Sequence, residues 1–112
     1  MDKITQLSVA IRLGSIGATQ GIGMVSFHSE TSPCVLGMAK LSIMMDPKSS
    51  YYDLEQRFPI LGLKKVKSPA YSSISSSLLY TIWELNDVYR WPPADIADWL
   101  ERIEKEQEKK EK

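Results

Sequence analysis

The chain of 112 residues has a single cysteine and a single histidine. One cysteine excludes an internal disulfide framework, and one of each offers no ligand spacing for a zinc site. Net charge is lacking as well. Fourteen Lys and Arg cancel fourteen Asp and Glu, so no global field draws in nucleic acid or an anionic membrane. Long hydrophobic runs are missing too. The longest uncharged stretch, residues 13–29, is interrupted by Gly14, Gly17, Gly21 and Gly23, by serines and by His28. A membrane span needs about 18 or more predominantly apolar residues. Arg12 breaks the apolar core that an export signal would require, so a cytoplasmic location is expected. Neither a cofactor nor a metal is expected.

What is present is ordinary globular composition, with 43% hydrophobic and 25% charged residues, enough for one modest core. The pattern predicts a mainly α fold: a small single-domain bundle of four to five helices with a Gly-rich irregular segment. Ile4, Leu7, Ala10 and Ile11 share one helical face, ended by Gly14 and Gly17. Four glycines between Gly14 and Gly23 read as loop, and Met24–His28 as a short strand or extended arm. Ser32–Pro33 predicts the start of a helix that is apolar nearly all round through Met45 and therefore central. Ser50 with Asp53 predicts a short capped helix closed by Pro59. Lys64, Lys65 and Lys67 fall in a connecting loop.

From Ser72 onward, Ile74, Leu78, Ile82, Leu85 and Tyr89 form one face of a helix that Trp91–Pro92–Pro93 must break. A last helix is expected from Pro93, with Ile96, Trp99, Leu100 and Ile103 as its inward stripe. No apolar residue follows Ile103. Residues 1–104 are thus read as the domain, and residues 105–112 as a charged, frayed tail, with Glu101–Lys105, Glu106–Lys110 and Glu108–Lys112 in the favourable i, i+4 order.

Few motifs carry chemistry. Gly17-Ala-Thr-Gln-Gly21-Ile-Gly23 resembles the cofactor-phosphate loop of short-chain dehydrogenases, but no tyrosine is followed four residues later by lysine, as that family's catalytic pair requires. Its flanks also do not read as strand and helix. A glycine-rich turn is the plainer reading. Cys34 and His28, with Glu30 or Asp87 as orienting carboxylate, have the residue types of a nucleophile and its base; a cysteine opening an apolar helix is more simply a small buried hydrophobe. Asp95–Leu100 is similar to the first helix of a helix-turn-helix unit, yet no basic recognition helix follows. The nucleic-acid candidates are Lys64, Lys65, Lys67 and Arg90. Against them stand Glu84, Asp87, Asp95 and Asp98, which would repel phosphates.

Aromatic residues are concentrated between Tyr80 and Trp99. Trp83, Trp91, Tyr80 and Tyr89 are the interface candidates, since tryptophan and tyrosine are enriched at protein interfaces, while at least two of the three tryptophans are expected in the core. Asn86, Asp87 and Trp99 are read as a structural corner or pocket, with Asp87 reaching the N–H groups that open the last helix.

Three patches resemble a set of short bacterial and phage proteins without an assigned activity. Cys34-Val-Leu-Gly-Met-Ala39 is similar to their Cys-Ala-Leu-Gly-Ala-Ala. Leu85-Asn-Asp87 through Trp91 to Ile96-Ala-Asp-Trp-Leu100 is similar to their Leu-Asn-Asp, Trp and Ile-Ala-Asp-Trp motifs, and Leu7–Gly14 to their Ile-Arg-Leu-Gly opening. Pro92 stands where that set has a threonine or serine cap. The resemblance implies an accessory role in phages or mobile elements. The lack of catalytic motifs, the aromatic richness between Tyr80 and Trp99 and the charged tail give the expected function: a non-enzymatic helical module that docks on another protein or on itself. Two alternatives are a nucleic-acid-associated regulator and a small-ligand or enzyme site around Cys34 or the Gly14–Gly23 loop.

Overall fold

The first helix, α1 (Leu7–Gly14), shows why the molecule is assembled as it is. Leu7, Ala10 and Ile11 are fully buried on one face, and α1 packs most extensively on α3 (Val35–Ser42) and then on α6 (Pro93–Glu111). Its last residue, Gly14, passes so close to α3 that a Cβ would lie 2.0 Å from the Met38 carbonyl oxygen. Only glycine permits that crossing. On the other side, the Arg12 guanidinium reaches Asp98 and Glu101 of α6, both at 2.7 Å.

The computed structural model describes residues 6–70 and 75–111; Ile4 and Ile74 of the expected apolar faces lie outside them. Among the described residues the protein is mainly α-helical, with five helices of seven residues or more. The order is α1, the single turn α2 (Met24–Phe27), α3, α4 (Tyr51–Arg57), a 3-10 turn (Pro59–Gly62), β1 (Val66–Lys67), β2 (Ser75–Ser76), α5 (Leu78–Asp87) and α6. The strands pair antiparallel, Val66 opposite Ser76 and Lys67 opposite Ser75. A radius of gyration of 13.0 Å is that of one domain of this length.

Several local expectations hold for the expected physical reason. The Ser50 hydroxyl accepts from Asp53 N, and the Asp53 carboxylate accepts from Ser50 N, the reciprocal box that starts α4. Proline ends that helix and opens the 3-10 turn. Helix α6 starts at Pro93 and buries Ile96, Ala97, Trp99 and Leu100. It runs on through the charged segment to Glu111, with the Glu101–Lys105 pair at 3.2 Å.

Other expectations need correction. Residues 24–27 form a helical turn rather than a strand: among the described residues no neighbouring strand pairs with them, and Ser26 instead donates from N and Oγ to the Gly23 carbonyl. The lysine loop is partly a strand, since Lys67 belongs to β1. Helix α3 begins at Val35 rather than at Pro33, because the Pro33 carbonyl is engaged by Gly21 N at 2.9 Å. It also stops at Ser42, short of Met45. Met45 N donates back to Lys40 O and Met44 N to Leu41 O, with Met44 left-handed at φ 62°, a Schellman closure in a residue other than glycine.

Helix α3 is central as expected, yet it carries an unexpected charge. Lys40 is 1% exposed. Its ammonium donates to the carbonyls of Pro47 (2.6 Å) and Ser49 (2.8 Å) and lies 3.6 Å from the centre of the Phe27 ring. Three donors thus meet two carbonyls and an aromatic face. Burial lowers the Lys40 pKa from its ordinary value, partly offset by Cys34, Asp46 and Asp53.

Candidate functional site

Helix α5 carries Tyr80, Trp83, Asn86 and Asp87 among the candidate residues. The Ser77 hydroxyl accepts from Tyr80 N and fixes the start of the helix. Leu78, Thr81, Ile82, Leu85 and Asn86 then face inward, as a 3.6-residue period requires. The same period turns Tyr80 and Trp83 outward, where they remain 48% and 37% exposed. Their rings lie 5.4 Å apart, tilted by 36°. Across from them stands Tyr51 at the start of α4, stacked on Phe27 with centroids 4.0 Å apart. Burial raises the Tyr51 phenol pKa.

Tyr51, Ser77, Leu79, Tyr80 and Trp83 together line an apolar groove of about 380 Å³. Large apolar side chains thus face water beside one another along this groove. Of the four interface candidates, the structure brings Tyr80 and Trp83 together. Tyr89 is exposed beyond the end of α5 and does not line the groove. Trp91 is half-buried against the core, and Trp99 is buried, so two of the three tryptophans are core residues. No pattern in the sequence links Tyr51 and Leu79 to Tyr80 and Trp83; α4 lying beside α5 brings them together.

Asn86 and Asp87 do form a corner, though not the expected one. Asp87 does not reach the start of α6, where Asp95 N and Ile96 N donate to the Pro92 carbonyl. Its Oδ2 accepts instead from Gly23 N at 2.9 Å, and its Oδ1 from Asn86 Nδ2 at 2.6 Å. Asn86 is 1% exposed and uses its whole hydrogen-bonding capacity. Its Oδ1 accepts from Gln20 Nε2 (2.8 Å) and Val35 N (3.2 Å), and its Nδ2 also donates to Gly21 O (3.0 Å). The α3 cap residue Cys34 makes no side-chain capping bond, so Asn86 serves in its place from α5. Gln20 extends the network to the Trp91 carbonyl at 3.0 Å.

This network accounts for the glycine-rich segment. Gly21 N and Gly23 N already donate to Pro33 O and to the Asp87 carboxylate. A Cβ at Gly21 would lie 2.0 Å from the Ser32 carbonyl oxygen. The glycines are there for close packing and turns, with an internal carboxylate on the loop. Cys34 is buried, and burial raises its thiol pKa, with Gly37, Ser26 and Leu36 opposing. His28 donates through Nδ1 to Pro47 O at 2.8 Å, and no hydrogen bond joins it to Cys34. Among the described residues no group of three or more His, Cys, Asp or Glu is placed to hold a metal. No helix described is long and apolar enough to cross a membrane.

The nucleic-acid candidates do not converge. Lys64, Lys65 and Lys67 are exposed near the start of α5, where Leu78 N donates to Leu63 O. Arg90 lies past its other end, left-handed at φ 56°. A ten-residue helix, about 15 Å long, separates them. No protein-family model matches the chain, and no curated protein or solved structure matches it either. What fold and surface define is a small helical domain with a rigid polar corner inside and an aromatic groove outside.

Proposed function

We propose that the protein is a non-enzymatic docking module of the cytoplasm that binds another protein through the aromatic groove between α4 and α5. The observation that carries this reading is the exposure of Tyr80 and Trp83 side by side on a helix whose inner face is fully used in the core. Aromatic rings of this kind supply large contact area at low conformational cost. Tyr80 and Trp83 are the anchors, and Tyr51 and Leu79 complete the wall. The resemblance of the Leu85–Trp91 and Ile96–Leu100 motifs to short phage and bacterial proteins supports an accessory role in such an element.

The test compares affinity capture by the wild-type chain with capture by a Tyr80→Ala, Trp83→Ala double variant of unchanged helicity. A partner retained by the first and lost by the second supports the reading; equal capture by both overturns it. Nucleic acid that elutes with salt in place of protein would also overturn it, in favour of the lysines at 64, 65 and 67.

A further inference from the structure

A second cleft, away from the aromatic groove, opens between the start of α1, the 3-10 turn and the later turns of α6, with a volume of about 420 Å³. Leu7, Phe58, Ile60 and Leu63 form an apolar wall, and Glu104 and Glu108 are its charged lining. No basic side chain lines it among the described residues; its remaining polar groups are the amides of Gln6 and Gln107. Glu104 and Glu108 stand at i, i+4 on one helix, a spacing at which like charges repel weakly. The adjacent Lys105 is paired with Glu101 instead.

The hold on Glu104 decides what kind of cation fits. This residue is 6% exposed. Ser8 grips its carboxylate through both oxygens, backbone N to Oε2 at 3.1 Å and hydroxyl to Oε1. Each oxygen keeps a second lone pair. A guanidinium fork seeks two oxygens from one side, the position Ser8 holds. An ammonium is a compact charge with three donors and can bridge one oxygen of each glutamate. Ser8 and the positive end of α1 stabilise the Glu104 carboxylate from one side, so an ammonium would share the free side of Glu104 with the exposed carboxylate of Glu108. The volume lies in the range of about 300–1,000 Å³ usual for small-molecule sites.

We propose that this cleft binds a primary ammonium carried on a short apolar or aromatic body, the body against Phe58 and Ile60 and the charge between Glu104 and Glu108. The test is a titration of the isotope-labelled full chain with 2-phenylethylammonium chloride, followed by amide NMR shifts. Saturable shifts confined to residues 58–63 and 104–108 are expected. Glu108 is exposed, so Glu108→Lys leaves the core intact; it should weaken binding by about tenfold or more, as should replacing the amine by uncharged 2-phenylethanol. Absence of saturation by about 10 mM overturns the proposal. So do shifts mapping elsewhere, equal binding of the alcohol, or unchanged binding by Glu108→Lys.

Discussion

Replacing Asn86 by alanine removes four hydrogen bonds at one point where three segments meet. The consequences are unequal. Gln20 Nε2 retains the Trp91 carbonyl, and Asp87 retains Gly23 N. Val35 N, at the buried start of α3, is left with no acceptor, at a cost of about 1–3 kcal/mol. Gly21 O is only partly buried and loses roughly 0.5–1.5 kcal/mol. The sum, about 1.5–4.5 kcal/mol, is a large share of the roughly 5–15 kcal/mol that holds a domain folded. At about 4 °C per kcal/mol for a domain of this size, Asn86→Ala should melt roughly 6–18 °C below wild type by circular dichroism. Asn86→Asp keeps the acceptor for Val35 but sets a second carboxylate against Asp87. It should be as damaging at neutral pH, because two like charges then meet at a largely buried corner. A melting temperature for Asn86→Ala within about 2 °C of wild type would show that the corner does not hold the segments together.

The other predictions address packing, strain and titration. Gly14→Ala drives a methyl into the Met38 carbonyl and should cost about 1–3 kcal/mol in urea unfolding, as overpacking does. Met44 is 91% exposed and left-handed, so Met44→Gly should raise stability by about 1 kcal/mol on relief of the Cβ clash; a loss would refute the strain. The Cys34 thiol has its folded pKa raised above the ordinary value of 9.0. Its contribution is therefore complete below that value and is lost as pH rises from there through the raised pKa, because the unfolded thiol ionises first. Lys40 runs the other way, its lowered folded pKa making stability rise with pH up to its ordinary 10.5. Cys34→Ala should accordingly decline less than wild type above about pH 9 in pH-dependent melting. Cys34 of the native wild-type protein should also resist aromatic disulfides until the chain unfolds.

Elements governed by neighbours in sequence could be read directly. The Ser50–Asp53 box, the stop at Pro59, the break at Trp91–Pro92–Pro93 and the stripe of Ile96, Trp99, Leu100 and Ile103 depend on periodicity, proline geometry and one short-range cap. The outward turn of Tyr80 and Trp83 follows from the same period. Readings failed where a partner distant in the chain decides the outcome. Nothing in Met24–Phe27 says that its backbone will close on Gly23 rather than pair with a strand. Nothing near Pro33 says that its carbonyl answers Gly21, or that a side chain 51 residues on caps Val35. Lys40, in an apolar run, gives no sign that the carbonyls of Pro47 and Ser49 and the Phe27 ring await it.

The sequence alone therefore determined a mainly helical domain, most of its helices and the aromatic residues that cannot all be inside. Those properties depend on backbone preferences and on interactions within a few residues. Only the tertiary structure decided that Asp87 turns to Gly23, that Tyr51 joins Tyr80 and Trp83, and that Glu104 is buried at the start of α1. Each of these is set by hydrogen bonds or packing between residues 29 to 96 positions apart, and a linear pattern carries no record of which distant groups will be left needing a partner.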